Sequence, residues 1–85
     1  MSRPTLAPHV RYRWDKVREQ HQLVFPEGLL VLNVTGADIA QLCDGRPVEE
    51  LMNAIREKYG DADDADVTAF LERLAKKGLL RDADA

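Results

Sequence analysis

The hydrophobic period of this chain changes once, and the change falls at Thr35. Before it, through residues 10–33, apolar and β-branched residues alternate; after it, through residues 35–78, they recur every 3.6 residues. One such switch predicts an α+β chain in which a sheet segment precedes a helical segment.

The alternating part divides into three strands, at roughly 10–16, 21–26 and 29–33. Val10, Tyr12 and Trp14 alternate with Arg11, Arg13 and Asp15, which predicts a half-buried strand with the charged set on its wet face. Residues 16–19 form a polar connection. Phe25-Pro26-Glu27-Gly28 predicts a tight turn, since Pro presets φ at its second position and Gly suits a type I turn followed by a bulge. Leu29-Leu30-Val31-Leu32 follows at once and is apolar on both parities, so cover is expected on both faces. Three consecutive strands predict an antiparallel meander.

Helices are expected at roughly 35–43, 47–59 and 64–77. Thr35 is read as the first N-cap, with Asp38 completing a variant capping box. Ile39, Leu42 and Cys43 form its apolar face, and Gly45 suits the helix end. Pro47 suits the first turn of the second helix, whose stripe is Val48, Leu51, Met52, Ile55 and Tyr59, ending at Gly60. Residues 61–66 are an acidic link, read as N-caps and first-turn acids, because a calcium loop needs a glycine and a terminal Glu that are missing. Val67, Phe70, Leu71 and Leu74 carry the third helix, which stops at Gly78. Residues 79–81 add a short strand or pack down, and 82–85 are expected to fray.

Length and composition limit what such a chain does. Its 85 residues make a single domain, 1–85, with a thin core, since a chain this small buries only about 60–65% of its unfolded surface. One cysteine, Cys43, excludes an internal disulfide, and with only His9 and His21 beside it no four-ligand zinc site is possible. No cofactor is expected. No apolar run is long enough to cross a bilayer and no secretory signal is visible, so a cytoplasmic protein with no membrane partner is expected. The net charge of −3 argues against nucleic acid.

Residues able to do covalent chemistry are scarce. Cys43 falls on an apolar helix face and is read as a buried structural thiol; His21, between two glutamines, is read as surface. No phosphate-binding glycine loop, HExxH or CxxC occurs, so an enzyme is not expected. What remains is a binding surface. A sheet edge carries unpaired backbone groups, and an apolar edge strand invites a peptide to add as a further strand. On the third helix Phe70, Arg73 and Lys77 share one flank. Arg73 and Lys77 repel each other mildly, which an acidic ligand would relieve.

Pro26-Glu27-Gly28, Leu32-Asn33, Ile39, Leu42-Cys43-Asp44-Gly45, Val67, Phe70-Leu71, Leu74 and Lys77-Gly78-Leu79-Leu80, in this order and spacing, resemble the PqqD family of pyrroloquinoline quinone biosynthesis. The resemblance spans roughly residues 5–81, with Pro47 departing from the usual Thr or Ser. It implies a winged-helix-like peptide-recognition domain, three antiparallel strands followed by three helices, that holds a precursor peptide as an added strand. The family is a peptide chaperone that presents the precursor PqqA to PqqE. PqqE is a radical S-adenosylmethionine enzyme that crosslinks a Glu and a Tyr of that peptide. The iron–sulfur clusters belong to that partner. Carried onto this chain, the peptide groove comprises Leu29, Leu30, Val31, Leu32 and Asn33 on the third strand. The third helix contributes Val67, Phe70, Leu71, Leu74 and the cations Arg73 and Lys77. Two rival readings share the pattern. A winged-helix DNA-binding domain needs a cationic reading helix, but the third helix opens with Asp63, Asp64 and Asp66. A dimerisation module would pair its free strand edge with a second copy, so both monomer and homodimer are compatible with the sequence.

Overall fold

The structure, a computed structural model, describes residues 1–60 and 63–84. In chain order the elements are β1 (Pro4–Leu6), β2 (Arg11–Asp15), β3 (Gln20–Phe25), β4 (Gly28–Leu32), α1 (Val34–Gln41), α2 (Val48–Tyr59), α3 (Asp64–Lys76) and β5 (Leu80–Asp82). The α+β architecture is the expected one: β2, β3 and β4 form an antiparallel meander, and three helices follow. Of the acidic link, residues 61 and 62 lie outside the described residues.

The N-terminus adds an element that its sequence does not announce. β1 pairs antiparallel with β5, Leu6 opposite Leu80 and Pro4 opposite Asp82. The Asp82 carboxylate accepts the backbone N–H groups of Ser2 and Arg3 at 2.9 and 3.0 Å. The Gly45 N–H donates to the Pro4 carbonyl at 3.0 Å, so β1 is also tied to the α1–α2 corner. Three residues are too few to show a period, which is why β1 escapes sequence reading.

Cross-strand partners share a sheet face. Tyr12, Leu23 and Leu30 stand in one row, and Arg13, Gln22 and Val31 in the next, pointing the other way. The first set meets the helices, where Leu23, Leu32, Leu51, Ile55, Leu71 and Leu74 are buried together. Each such side chain contributes about 1.5–3 kcal/mol by leaving water. α1 packs on β2, β3 and β4, and the buried side chains of α2 and α3 join the same cluster, while the opposite face of β4 stays open. Leu29 and Val31, expected to be covered, are 48% and 52% exposed. The β3–β4 turn also differs from expectation. Phe25 pairs with Gly28 and the register runs on unbroken, without a bulge.

Two readings on β2 invert. Trp14 shares the core-facing side but lies at the strand end and is 46% exposed, its ring 4.8 Å from that of His21. Asp15, assigned to the wet face, is 2% exposed. It is buried because the next turn folds over it. Its Oδ1 accepts the N–H groups of Val17 and Arg18, and its Oδ2 accepts Arg18 Nη1 and Gln22 Nε2. Those bonds, the Arg18 N–H foremost, hold its carboxyl below the ordinary value of 3.8. His21 is half-buried rather than on the surface, with Nδ1 2.6 Å from the Tyr12 hydroxyl.

The helix starts also differ in detail. Asn33, not Thr35, caps α1, its Oδ1 accepting the Gly36 N–H at 2.7 Å. Asp38 is therefore free of any capping box and reaches α2 instead. Pro47 occupies the N-cap of α2, with ψ 142°, rather than its first turn. Cys43 lies beyond the end of α1, in the corner leading to Pro47, and Gly45 takes φ +93° in that corner.

Candidate functional site

β4 is an edge strand, bonded to β3 and to no other strand among the described residues. On its open side a groove of about 740 Å³ separates it from α3. The strand wall is Leu30, Val31, Leu32 and Asn33, and the helix wall is Asp66, Val67, Ala69, Phe70 and Arg73, with Asp63 at its end. Thr35, Gly36 and Ile39 of α1 and Ile55 and Tyr59 of α2 complete the lining.

Local chemistry builds each part. The Asn33 cap turns the chain from β4 directly into α1, which brings Gly36 beneath α3. A Cβ at Gly36 would stand 3.3 Å from the Phe70 ring and 3.0 Å from Asn33 Oδ1, so glycine is what lets Phe70 settle there. Gly60, at φ +76°, ends α2 in the left-handed region that favours glycine. α3 begins again at Asp63, whose Oδ1 accepts the Ala65 N–H at 2.9 Å. Asp66, Val67, Phe70 and Arg73 follow one face of α3 at helical spacing. The Arg73 guanidinium lies 5.5 Å from the centre of the Phe70 ring. Tyr59 is anchored by its hydroxyl, which donates to Asp38 Oδ2, and Lys58 Nζ lies 3.0 Å from the same oxygen. The Tyr59 hydroxyl and then Lys58 hold the Asp38 carboxyl below 3.8, and the carboxylate in turn pushes the Tyr59 phenol up.

Of the residues expected at the site, Leu30, Val31, Leu32, Asn33, Val67, Phe70 and Arg73 come together around the groove. Four do not line it. Leu71 and Leu74 face the core, because they fall on the α3 stripe that is buried in one cluster with Leu23, Leu51 and Ile55. Leu29 shares the outer sheet face with Val31 but lies nearer the β3–β4 turn, outside the groove. Lys77 caps the C-terminus of α3 and is exposed beyond the groove. Sequence reading missed Thr35, Gly36, Ile39, Ile55, Tyr59, Asp63, Asp66 and Ala69. Gly36 carried a signal, a glycine in the first turn of a helix where most residues fit better. Ile39, Ile55 and Tyr59 read as ordinary core.

The lining offers apolar surface, an open strand edge, two hydroxyls and a few charges, and it includes no Ser, Cys, His or Lys among the described residues. Cys43 is buried away from the groove, its thiol donating to the Ile39 carbonyl at 3.3 Å, and burial pushes its pKa up to about 12. No group of three or more His, Cys, Asp or Glu among the described residues is arranged to hold a metal. No helix among them is long and apolar enough to cross a membrane.

Comparison with known proteins bears on this geometry directly. The profile of the family described as "Coenzyme PQQ synthesis protein D (PqqD)" matches residues 20–80. A protein of Rhodopseudomonas palustris (strain TIE-1) named "PqqA binding protein" is 39% identical over 87 residues, covering 96% of this chain and 84% of that one. One of the same name from Methylococcus capsulatus is 30% identical over 79 residues, covering 91% and 85%. Among solved structures, the solution NMR structure of the PqqD truncation of Methylobacterium extorquens PqqCD is similar at a TM-score of 0.69 and 32% identity, covering 92% of this chain and 87% of that one. It is described as a functional, stand-alone recognition element for ribosomally synthesized and post-translationally modified peptides. With the family profile, full-length relatives and the fold in agreement, this chain belongs to the PqqD family.

Proposed function

We propose that this protein is a non-catalytic peptide chaperone. It binds the precursor peptide PqqA as an added strand on the open edge of β4 and presents it to PqqE for crosslinking. The observation that carries this is the coincidence of an unpaired apolar strand edge with a groove whose walls are mainly apolar. Backbone pairing along Leu30–Asn33 supplies sequence-tolerant affinity, and Val67, Phe70 and Ile39 supply the surface on which peptide side chains rest. The relatives named "PqqA binding protein" support the identity of the peptide. The Cys43 thiol, buried and with its pKa pushed up to about 12, and a groove lined mainly by apolar side chains support a carrier rather than a catalyst. The free peptide is flexible, so ordering it consumes part of the gross interaction energy. Exposed Asp63 and Asp66 at the mouth repel phosphates, which disfavours nucleic acid at this surface.

Titration of PqqA into ¹⁵N-labelled protein tests the reading. Amide shifts are expected at 30–36 and 63–73, with new protection from exchange on alternate residues of β4. Crosslinking by PqqE is expected to require the protein. Shifts confined to β2 or β1, or crosslinking that proceeds equally without the protein, would overturn the proposal.

A further inference from the structure

We propose that the groove is electrically polar along its length. It selects a peptide strand carrying a cation and a carboxylate four residues apart, in one order only. This deepens the strand-addition reading above and rests on it. Asp63 and Asp66 stand at one end of the α3 wall and Arg73 at the other, with apolar Val67 and Phe70 between them. Neither Asp66 nor Arg73 makes an ion pair among the described residues, whereas the neighbouring Asp64 is held by Arg56. Acids at a helix start and cations at its end are favourable in any helix. That accounts for their presence, but not for their facing the groove, which Glu72 and Lys76 of the same helix do not.

The spacing sets the peptide pattern. At about 1.5 Å per residue, Asp66 lies about 10.5 Å along α3 from Arg73 and Asp63 about 15 Å. Same-face residues of a strand fall at about 6.6 Å and 13 Å for separations of two and four. Only the separation of four places one peptide charge against the acidic end while the other meets Arg73. Backbone pairing does not by itself choose a sequence, so these charges fix the register and direction in which the strand is delivered.

The test uses PqqA peptides with the bound stretch, located by its amide shifts, rewritten in three ways. One has Lys four residues before Glu, one has Glu four residues before Lys, and one has Gln at both positions. Dissociation constants are measured with the native protein and with the double variant Asp66→Lys/Arg73→Glu. The native protein is expected to prefer one charge order by about fivefold or more, and the double variant to prefer the other. Raised salt is expected to erase both preferences. If the double variant fails to fold, Arg73→Gln serves instead and is expected to reduce the discrimination by half or more. Equal binding of both orders by the native protein, with the Gln peptide bound as well, overturns the polarity and leaves the groove intact. Native PqqA that shifts no amide of β4 or α3 overturns the groove reading itself.

Discussion

Leu74 and Phe70 are four residues apart on α3, yet the structure gives them separate tasks, and substituting each by Ala separates core from groove. Leu74 is fully buried, at 0% exposure, among Leu23, Leu51 and Leu71. Truncating such a leucine removes its transfer energy and leaves a cavity, for about 3 kcal/mol. A domain of 85 residues has about 4–13 kcal/mol in total, so the loss is a large fraction. At about 4–8 °C per kcal/mol, the midpoint of thermal unfolding should fall by about 12–24 °C. Phe70 is only half-buried, so Phe70→Ala should cost less, about 2 kcal/mol. It also removes the ring over Gly36 and the partner of the Arg73 guanidinium. Melting is followed by circular dichroism, and PqqA affinity is measured at low temperature where both variants are folded. Leu74→Ala should keep its affinity within about twofold, and Phe70→Ala should lose about tenfold or more, the effect of a buried anchor. Should Leu74→Ala prove too unstable, the volume-conserving Leu74→Met provides the same comparison at smaller cost. A folded Leu74 variant that loses affinity as much as Phe70→Ala would refute the division of labour, as would unchanged binding by Phe70→Ala.

Three further outcomes are expected. Asn33→Ala should cost about 1 kcal/mol as a lost N-cap, and Thr35→Ala distinctly less; an equal or larger loss at Thr35, by urea unfolding, would contradict the capping assignment. Cys43 should resist iodoacetamide at pH 8 in the folded protein and react at once in urea, since burial raises its pKa to about 12; rapid labelling of the native state would contradict its burial. Asp44, held at about 2 chiefly by the Arg46 guanidinium, and Asp15 and Asp38, also lowered from 3.8, bind protons less readily when folded than unfolded. Their contribution is therefore complete above about pH 5 and lost as pH falls through 4 towards 2, so the urea midpoint should decline over that window; a midpoint that rises on acidification would contradict the ion-pair geometry.

How much of this was legible in the sequence follows from the length of each signal. The meander and the three helices each repeat their period, and every boundary lies within two residues of expectation, the end of α1 being off by two and the rest by one or none. β1 has three residues and no period, and its reason for existing is a tertiary partner, β5, whose paired residues lie 74 to 78 positions away along the chain. Asp15 looked like a surface acid because alternation reports which side of a strand a residue occupies, not what later folds over it. The same limit explains Leu29 and Val31. Two apolar parities announce a strand that needs cover on both sides, and only the helix-facing side receives it from this chain. In α3 the stripe Val67, Phe70, Leu71 and Leu74 is a single arc in sequence. Only the packing of that arc against the sheet divides it into a buried half and a half that faces the groove.

An open apolar edge is a hazard in a small sheet, because it templates pairing with any extended chain. Here the hazard is contained by shortness. β4 has five residues, bounded by the Pro26–Glu27 turn at one end and by the Asn33 cap at the other. α3 stands across the groove as a wall, so an incoming strand must satisfy Phe70, Val67 and the charges as well as the backbone. A flat partner sheet fits the edge but not the wall. On the strand-addition reading a single flexible strand fits both, and it would give the open backbone edge of β4 a second hydrogen-bonded neighbour. On this reading the core is complete without the peptide, and the peptide extends the sheet by one strand.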